Sequence, residues 1–202
     1  MGRSRTARVA LCPACRSETK VLAAAFDSMT GLLSRADFRC ALAVPGLRGR
    51  GAVLLADIDQ FVFLNAVLDH VVGDQMLQSI AEVVRSALPP GAKASRYGGN
   101  QFCIYVTHTG GAAALAEQLR ASVDELFKAQ RAEVRAGAER AGVVQPRASG
   151  LFTLSVGWAA VPLQGQPLEA IDLALAACSQ AKAAGGNRVV GITPGLKADG
   201  ED

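Results

Sequence analysis

The sequence predicts an α/β domain around a mixed β-sheet, and three observations carry that expectation. Strand-like apolar runs alternate with segments of helical period, the order expected when helices cover a sheet. The stretch KASRYGGNQFCIYVT has alternating side chains on both sides of a glycine pair, which predicts a hairpin and makes part of the sheet antiparallel. Half of the composition of 202 residues is hydrophobic, enough to core one domain with a short appendage.

Residues 1 to about 20 show no period and read as a tail. VLAAAFDSMTGLLSRADFRCAL then gives a short apolar stretch, a turn at Thr30 and Gly31, and a helix. GAVLLADI, at 51 to 58, is a strand ending in Asp57 and Asp59, carboxylates expected to face open space where a metal or substrate sits. Gln60 to His70 is helical, and Gly73 with Asp74 opens a longer helix carrying Met76, Leu77, Ile80, Val83, Val84 and Leu88 on its apolar face until Pro89, Pro90 and Gly91 stop it. The RYGGNQF hairpin tip follows, its glycines expected to take the unusual dihedrals of a tight turn. Ala112 to about Glu139 is a helix with Leu115, Leu119, Val123 and Leu126 on one face and a charged, solvated distal part. LFTLSVGWAAV is a strand, PLEAIDLALAACSQAKAAGG a helix and NRVVGI the last strand.

The formal charge of +3 is dispersed along the chain and marks no nucleic-acid surface, so no nucleic-acid partner is expected. No apolar run approaches the ~20 residues of a membrane span. The basic N-terminus lacks a secretory core of sufficient length, which makes the cytoplasm the expected compartment. Of five cysteines, Cys40, Cys103 and Cys178 lie in apolar periodic segments and read as small core residues. Cys12 and Cys15 have the C-P-A-C spacing of half a zinc ribbon. Zinc needs four ligands, however, and Cys40 is the nearest further candidate, so the alternative is an unliganded pair on a tail.

Five separated segments resemble one family in the right order. FDSMTGLLSRADF resembles its D-x-L-T-G-L-x-N-R-x-x-F, DIDQFVFLNAVLDHVVGDQML its D-x-D-x-F-K-x-x-N-D-x-x-G-H-x-x-G-D-x-x-L, and RYGGNQF its R-Y-G-G-[DE]-E-F. LSVGWA and AKAAGGNRV resemble S-I-G-x-A and A-K-x-x-G-R-N-R-V. The family is that of the GGDEF diguanylate cyclases, and the resemblance covers about residues 26 to 192. It implies an antiparallel-rich, palm-like sheet flanked by helices, with a domain at 26–194 between tails at 1–25 and 195–202. The implied activity joins two GTP molecules into cyclic di-GMP across two facing domains, with divalent metal on the triphosphates.

Residue by residue, the resemblance implies a degenerate site. Asp57 matches the first metal aspartate, but in the turn Gly98, Gly99, Asn100, Gln101, Phe102 the family's acids have become the amides Asn100 and Gln101. Magnesium, usually held by one or two carboxylates, would be bound weakly if at all. Val62 and Gly186 stand where a phosphate-facing lysine and arginine are expected, while Lys182 remains. Asn65 and Asp74 match the guanine-reading pair, although Asp74 also suits an N-cap of the helix it begins and Asp57 a strand-end cap. Pro89 and Ala92 replace the R-x-x-D of the product-inhibition site. The expectation is a catalytically inactive regulatory or protein-interaction module with a signalling partner. A residual cyclase and a GTP sensor that reads guanine through Asn65, Asp74 and Lys182 are the alternatives.

Overall fold

The structure, a computed structural model, describes residues 26–68, 70–132, 134 and 151–193. The C-P-A-C pair, both tails and the distal part of the charged extension after Val134 lie outside the described residues. Six strands form one sheet: β1 (Leu33–Ser34), β2 (Ala52–Ile58), β3 (Lys93–Arg96), β4 (Gln101–Val106), β5 (Leu154–Ala160) and β6 (Val189–Ile192), in the spatial order β1-β3-β4-β2-β5-β6. β1 pairs with β3 and β5 with β6 in parallel, and the inner pairs are antiparallel. The expected mixed, antiparallel-rich sheet is therefore present.

Helices cover both faces: α1 (Arg35–Leu42), α2 (Phe61–Leu68), α3 (His70–Ala87), α4 (Ala112–Leu126) and α5 (Pro167–Ala183). Central β2 is buried at every position because it is covered on both sides, so it reads as a continuous apolar run and not as an alternating one. Parity still divides it. Ala52, Leu54, Ala56 and Ile58 join the core beneath α2, α3 and α4, while Val53 and Leu55 join the core beneath α1 and α5. Asp57 belongs to the second set by the same alternation, and this aims it at α5.

The structure alters several expected boundaries. β1 was not foreseen because two residues carry no periodicity; it is fixed by pairing with β3 and leads directly into α1, capped by Ser34, whose hydroxyl accepts from the Asp37 N–H at 3.2 Å. α3 begins at His70, not at Gly73, so Asp74 is an exposed residue inside the helix and not its N-cap. Gly73 is a packing glycine: a Cβ there would meet the Asn65 side-chain oxygen at 2.0 Å. The long helix predicted from Ala112 breaks at Phe127, which stacks on Phe152 with centroids 5.9 Å apart. Arg131 fixes the break by donating to the carbonyl oxygens of Asp124 and Leu151, at 2.9 and 3.3 Å, and by pairing with the Asp124 carboxylate at 2.7 Å.

The hairpin also differs in its cause. β3 and β4 stand where predicted, yet neither Gly98 nor Gly99 has a positive φ. A Cβ at Gly98 would lie 3.0 Å from the Gln101 side-chain oxygen, a tight approach to the end of a flexible side chain, and Gly99 faces open space. Cys103 and Cys178 are buried core thiols; burial pushes the Cys178 thiol up to about 12 and that of Cys103 higher still. Cys40 instead is half-buried, so it is not a fully buried core thiol like these two.

Candidate functional site

The C-terminal end of β2 and the turn between β3 and β4 meet edge to edge, because Asp57 stands opposite Gln101 and the Ile58 N–H reaches the Asn100 carbonyl at 3.2 Å. Asp57 does not face open space. Its side chain is 10 % exposed, and three donors surround it. Asn100 Nδ2 donates to Oδ1 at 2.6 Å, Gln101 Nε2 to Oδ2 at 2.8 Å, and Lys182 Nζ, reaching in from α5, to Oδ1 at 2.5 Å. Asn100 and Lys182 also reach the Ile58 carbonyl, at 3.2 and 3.5 Å. A carboxylate only accepts, so both amides must turn their nitrogens toward it. The two substitutions thus supply N–H donors, which their acidic counterparts, ionised, do not have.

Asp59 is buried as well, and its bonds are structural. Thr153 Oγ1 and the Asn187 backbone N–H donate to Oδ2 at 2.8 and 2.9 Å, and Ser155 Oγ donates to Oδ1 at 2.7 Å. Among the described residues, the non-glycine ones with positive φ are Gln60, Phe152 and Asn187. Gln60 follows Asp59, Phe152 precedes its donor Thr153, and Asn187 is itself a donor. Strained backbone of this kind persists only where the surroundings over-determine it, and here one buried carboxylate ties three loops together. Gly186, with φ +75°, lies against this carboxylate, and a Cβ there would approach Asp59 to 3.0 Å. Ser155 and Asn187 lie in the segments LSVGWA and AKAAGGNRV, but nothing in the sequence marks them or Thr153 as donors to Asp59.

The remaining predicted residues fall into separate groups. Asn65 on α2 and Asp74 on α3 are brought to one helix-helix contact through Gly73; the Asn65 side-chain oxygen is buried there without a hydrogen-bond partner, and Asp74 is exposed. Lys182 belongs with Asp57 and is not a free phosphate cation. Val62 is 84 % exposed and brings no charge to the position. Pro89 and Ala92 form a turn closed by Ala92 N–H to Pro89 carbonyl at 3.1 Å, with no cation or carboxylate of their own.

These residues do not fit a magnesium ion. Among the described residues no three His, Cys, Asp or Glu side chains gather, and with Asn100 and Gln101 as amides the turn adds no carboxylate to Asp57. Both oxygens of Asp57 are engaged, and the Lys182 ammonium puts a positive charge where a divalent ion would have to approach.

Residues 24–188 match the family described as GGDEF: Diguanylate cyclase, GGDEF domain. The chain is 32 % identical over 171 residues to Diguanylate cyclase VdcA of Vibrio cholerae, covering 83 % of this chain and 47 % of that protein. The chain spans less than half the length of the first curated relatives it matches. Among solved structures it superposes on the GGDEF domain of DgcB from Caulobacter crescentus in complex with c-di-GMP, with a TM-score of 0.64 and 26 % identity over 84 % of this chain and 96 % of that one. It also superposes on the diguanylate cyclase SiaD from Pseudomonas aeruginosa in complex with its activator SiaC, at 24 % identity and a TM-score of 0.65, covering 83 % of this chain and 62 % of that one.

Proposed function

Because the chain belongs to the diguanylate cyclase GGDEF domain family, we propose that it is a catalytically inactive member, with its domain at 26–194, acting as a cytoplasmic regulatory or protein-interaction module in cyclic di-GMP signalling. One observation carries the reading: the metal-position aspartate is neutralised by this protein's own Asn100, Gln101 and Lys182. A divalent ion would have to break an ion pair and reverse two amides before meeting any triphosphate. The charge that would stabilise phosphoryl transfer is thereby spent inside the protein. What remains is a well-packed scaffold whose rigid turn suits a protein partner.

Chromatography of cyclic di-GMP after incubation with GTP and magnesium tests this. No product is expected. Turnover within tenfold of an intact relative would overturn the reading.

Asn65 favours a second reading, a GTP-binding module without turnover. A buried, unpartnered amide oxygen costs free energy, roughly 1–3 kcal/mol, and a guanine edge would offer it N–H donors. Triphosphate recognition is poor, because Lys182 is already paired. Binding should be weak, guanine-selective and indifferent to magnesium. Calorimetry with GTP, ATP and cyclic di-GMP, each with and without magnesium, separates the two readings, and Asp74→Ala should remove any GTP signal. Silence with every nucleotide leaves the interaction module alone.

A further inference from the structure

At the end of the sheet remote from Asp57, about 20 Å away by the rise of the seven-residue β2, a cavity of about 550 Å³ opens where β2 begins and β4 ends. Its size suits a small molecule. Arg50 and His108 line it and no Asp or Glu does, so its electrostatic preference is for an anion. Among the described residues Arg50 has no carboxylate partner, unlike Arg85, Arg96, Arg120 and Arg131.

The walls are fixed from within. Tyr105 Oη donates to the Arg50 carbonyl at 3.2 Å, and Thr109 Oγ1 donates to the Gly51 carbonyl at 3.0 Å, pinning the loop after β4 to the start of β2. Burial raises the Tyr105 phenol above its ordinary value, and the Arg50 charge offsets part of that rise.

Gly46 and Gly110, both in the lining, have no positive φ, and a Cβ at either would meet nothing within 4 Å. Neither backbone conformation nor internal packing asks for glycine at these positions. Close approach of an external group to the bare backbone does. Arginine and imidazole on a concave surface are the chemistry that takes a phosphate group.

We propose that this cavity is a binding site for a phosphate monoester, separate from the Asp57 site and independent of whether that site is active. The test is a titration of the full chain with inorganic phosphate and, in a second arm, GMP, followed by amide NMR shifts. Shifts confined to residues 46–51 and 107–111, saturating below about 10 mM, are expected. Arg50→Gln and His108→Asn should each weaken binding about tenfold, and both positions are exposed, so dispersed spectra will show that the variants fold. Equal affinity in the two arms means that the phosphate alone is read, and tighter GMP means that the rest of the cavity holds the nucleoside. Shifts that are absent, that fall elsewhere, or that persist in the double variant would overturn the proposal.

Discussion

Asn100 and Gln101 show how two side chains of nearly unchanged shape reverse the electrostatics of a site. Each carboxylate replaced by an amide removes a negative charge and adds a donor, and both donors are used by Asp57. The sign of a substitution then distinguishes this arrangement from a metal site. Where carboxylates cluster, neutralising one relieves repulsion and stabilises the metal-free fold; here Asp57→Asn leaves Lys182 without a counter-ion and should destabilise. A loss on the order of 1–3 kcal/mol in urea unfolding is expected, with Lys182→Met at the lower end because its side chain is 35 % exposed. No change, or a gain, would show that the ion pair does not hold the turn. The converse experiment restores the acids. Asn100→Asp with Gln101→Glu puts three carboxylates around one ammonium, so the melting temperature should fall without magnesium and recover with it. Wild-type protein should show no magnesium response, and adding Val62→Lys should restore nucleotide-linked metal binding before chemistry.

Contact between elements is close where α5 lies on β5. A Cβ at Gly157 would meet the backbone N of Cys178 at 2.1 Å and the Ala174 carbonyl oxygen at 2.2 Å. Backbone on both sides cannot yield as a flexible side chain can. Gly157→Ala should therefore cost more than about 2 kcal/mol and move α5 outward, and with it Lys182. Urea unfolding measures the cost. A near-neutral Gly157→Ala would mean that α5 is less tightly seated than these distances require. The alanines of α5 have the same origin, since Ala170, Ala174, Ala177 and Ala181 are fully buried and small enough for the helix to approach the sheet.

Across the whole molecule, acid stability follows from carboxylates held by donors. Burial raises Asp27, but hydrogen bonds from Thr30 and the Arg96 charge outweigh it, leaving its carboxyl below the ordinary 3.8. Hydrogen bonding to Arg120, ahead of burial and charge, likewise holds Glu117 below 4.5. A depressed folded value contributes stability that is fully present above the unfolded value and lost as pH falls through the folded one. Stability should hold from neutrality down to about pH 5 and then decline through pH 4 and below. Asp27→Asn should flatten that decline, as followed by denaturant midpoints against pH. A midpoint that falls between pH 7 and pH 5, or an unchanged acid slope in the variant, would contradict this account.

Most of the helices and strands were legible in the sequence because their periods are local: α3 in its apolar face, β3 and β4 in the alternation around Gly98 and Gly99. The segments that supply Asp57, Asn100, Gln101 and Lys182 were legible as well, since each resembles a motif of the family. What α5 does to Asp57 was not. Lys182 stands 125 residues from Asp57, and its choice of a carboxylate over a phosphate depends on strand parity and on the close seating of α5 against Gly157. The same holds for Asp59, whose donors come from β5 and the loop before β6, and for the break at Phe127, which Arg131 makes by reaching across to Leu151. Residue type determined which groups carry charge and which only donate. Tertiary packing decided which of them meet, because hydrogen bonds between loops distant in sequence leave no period in the chain.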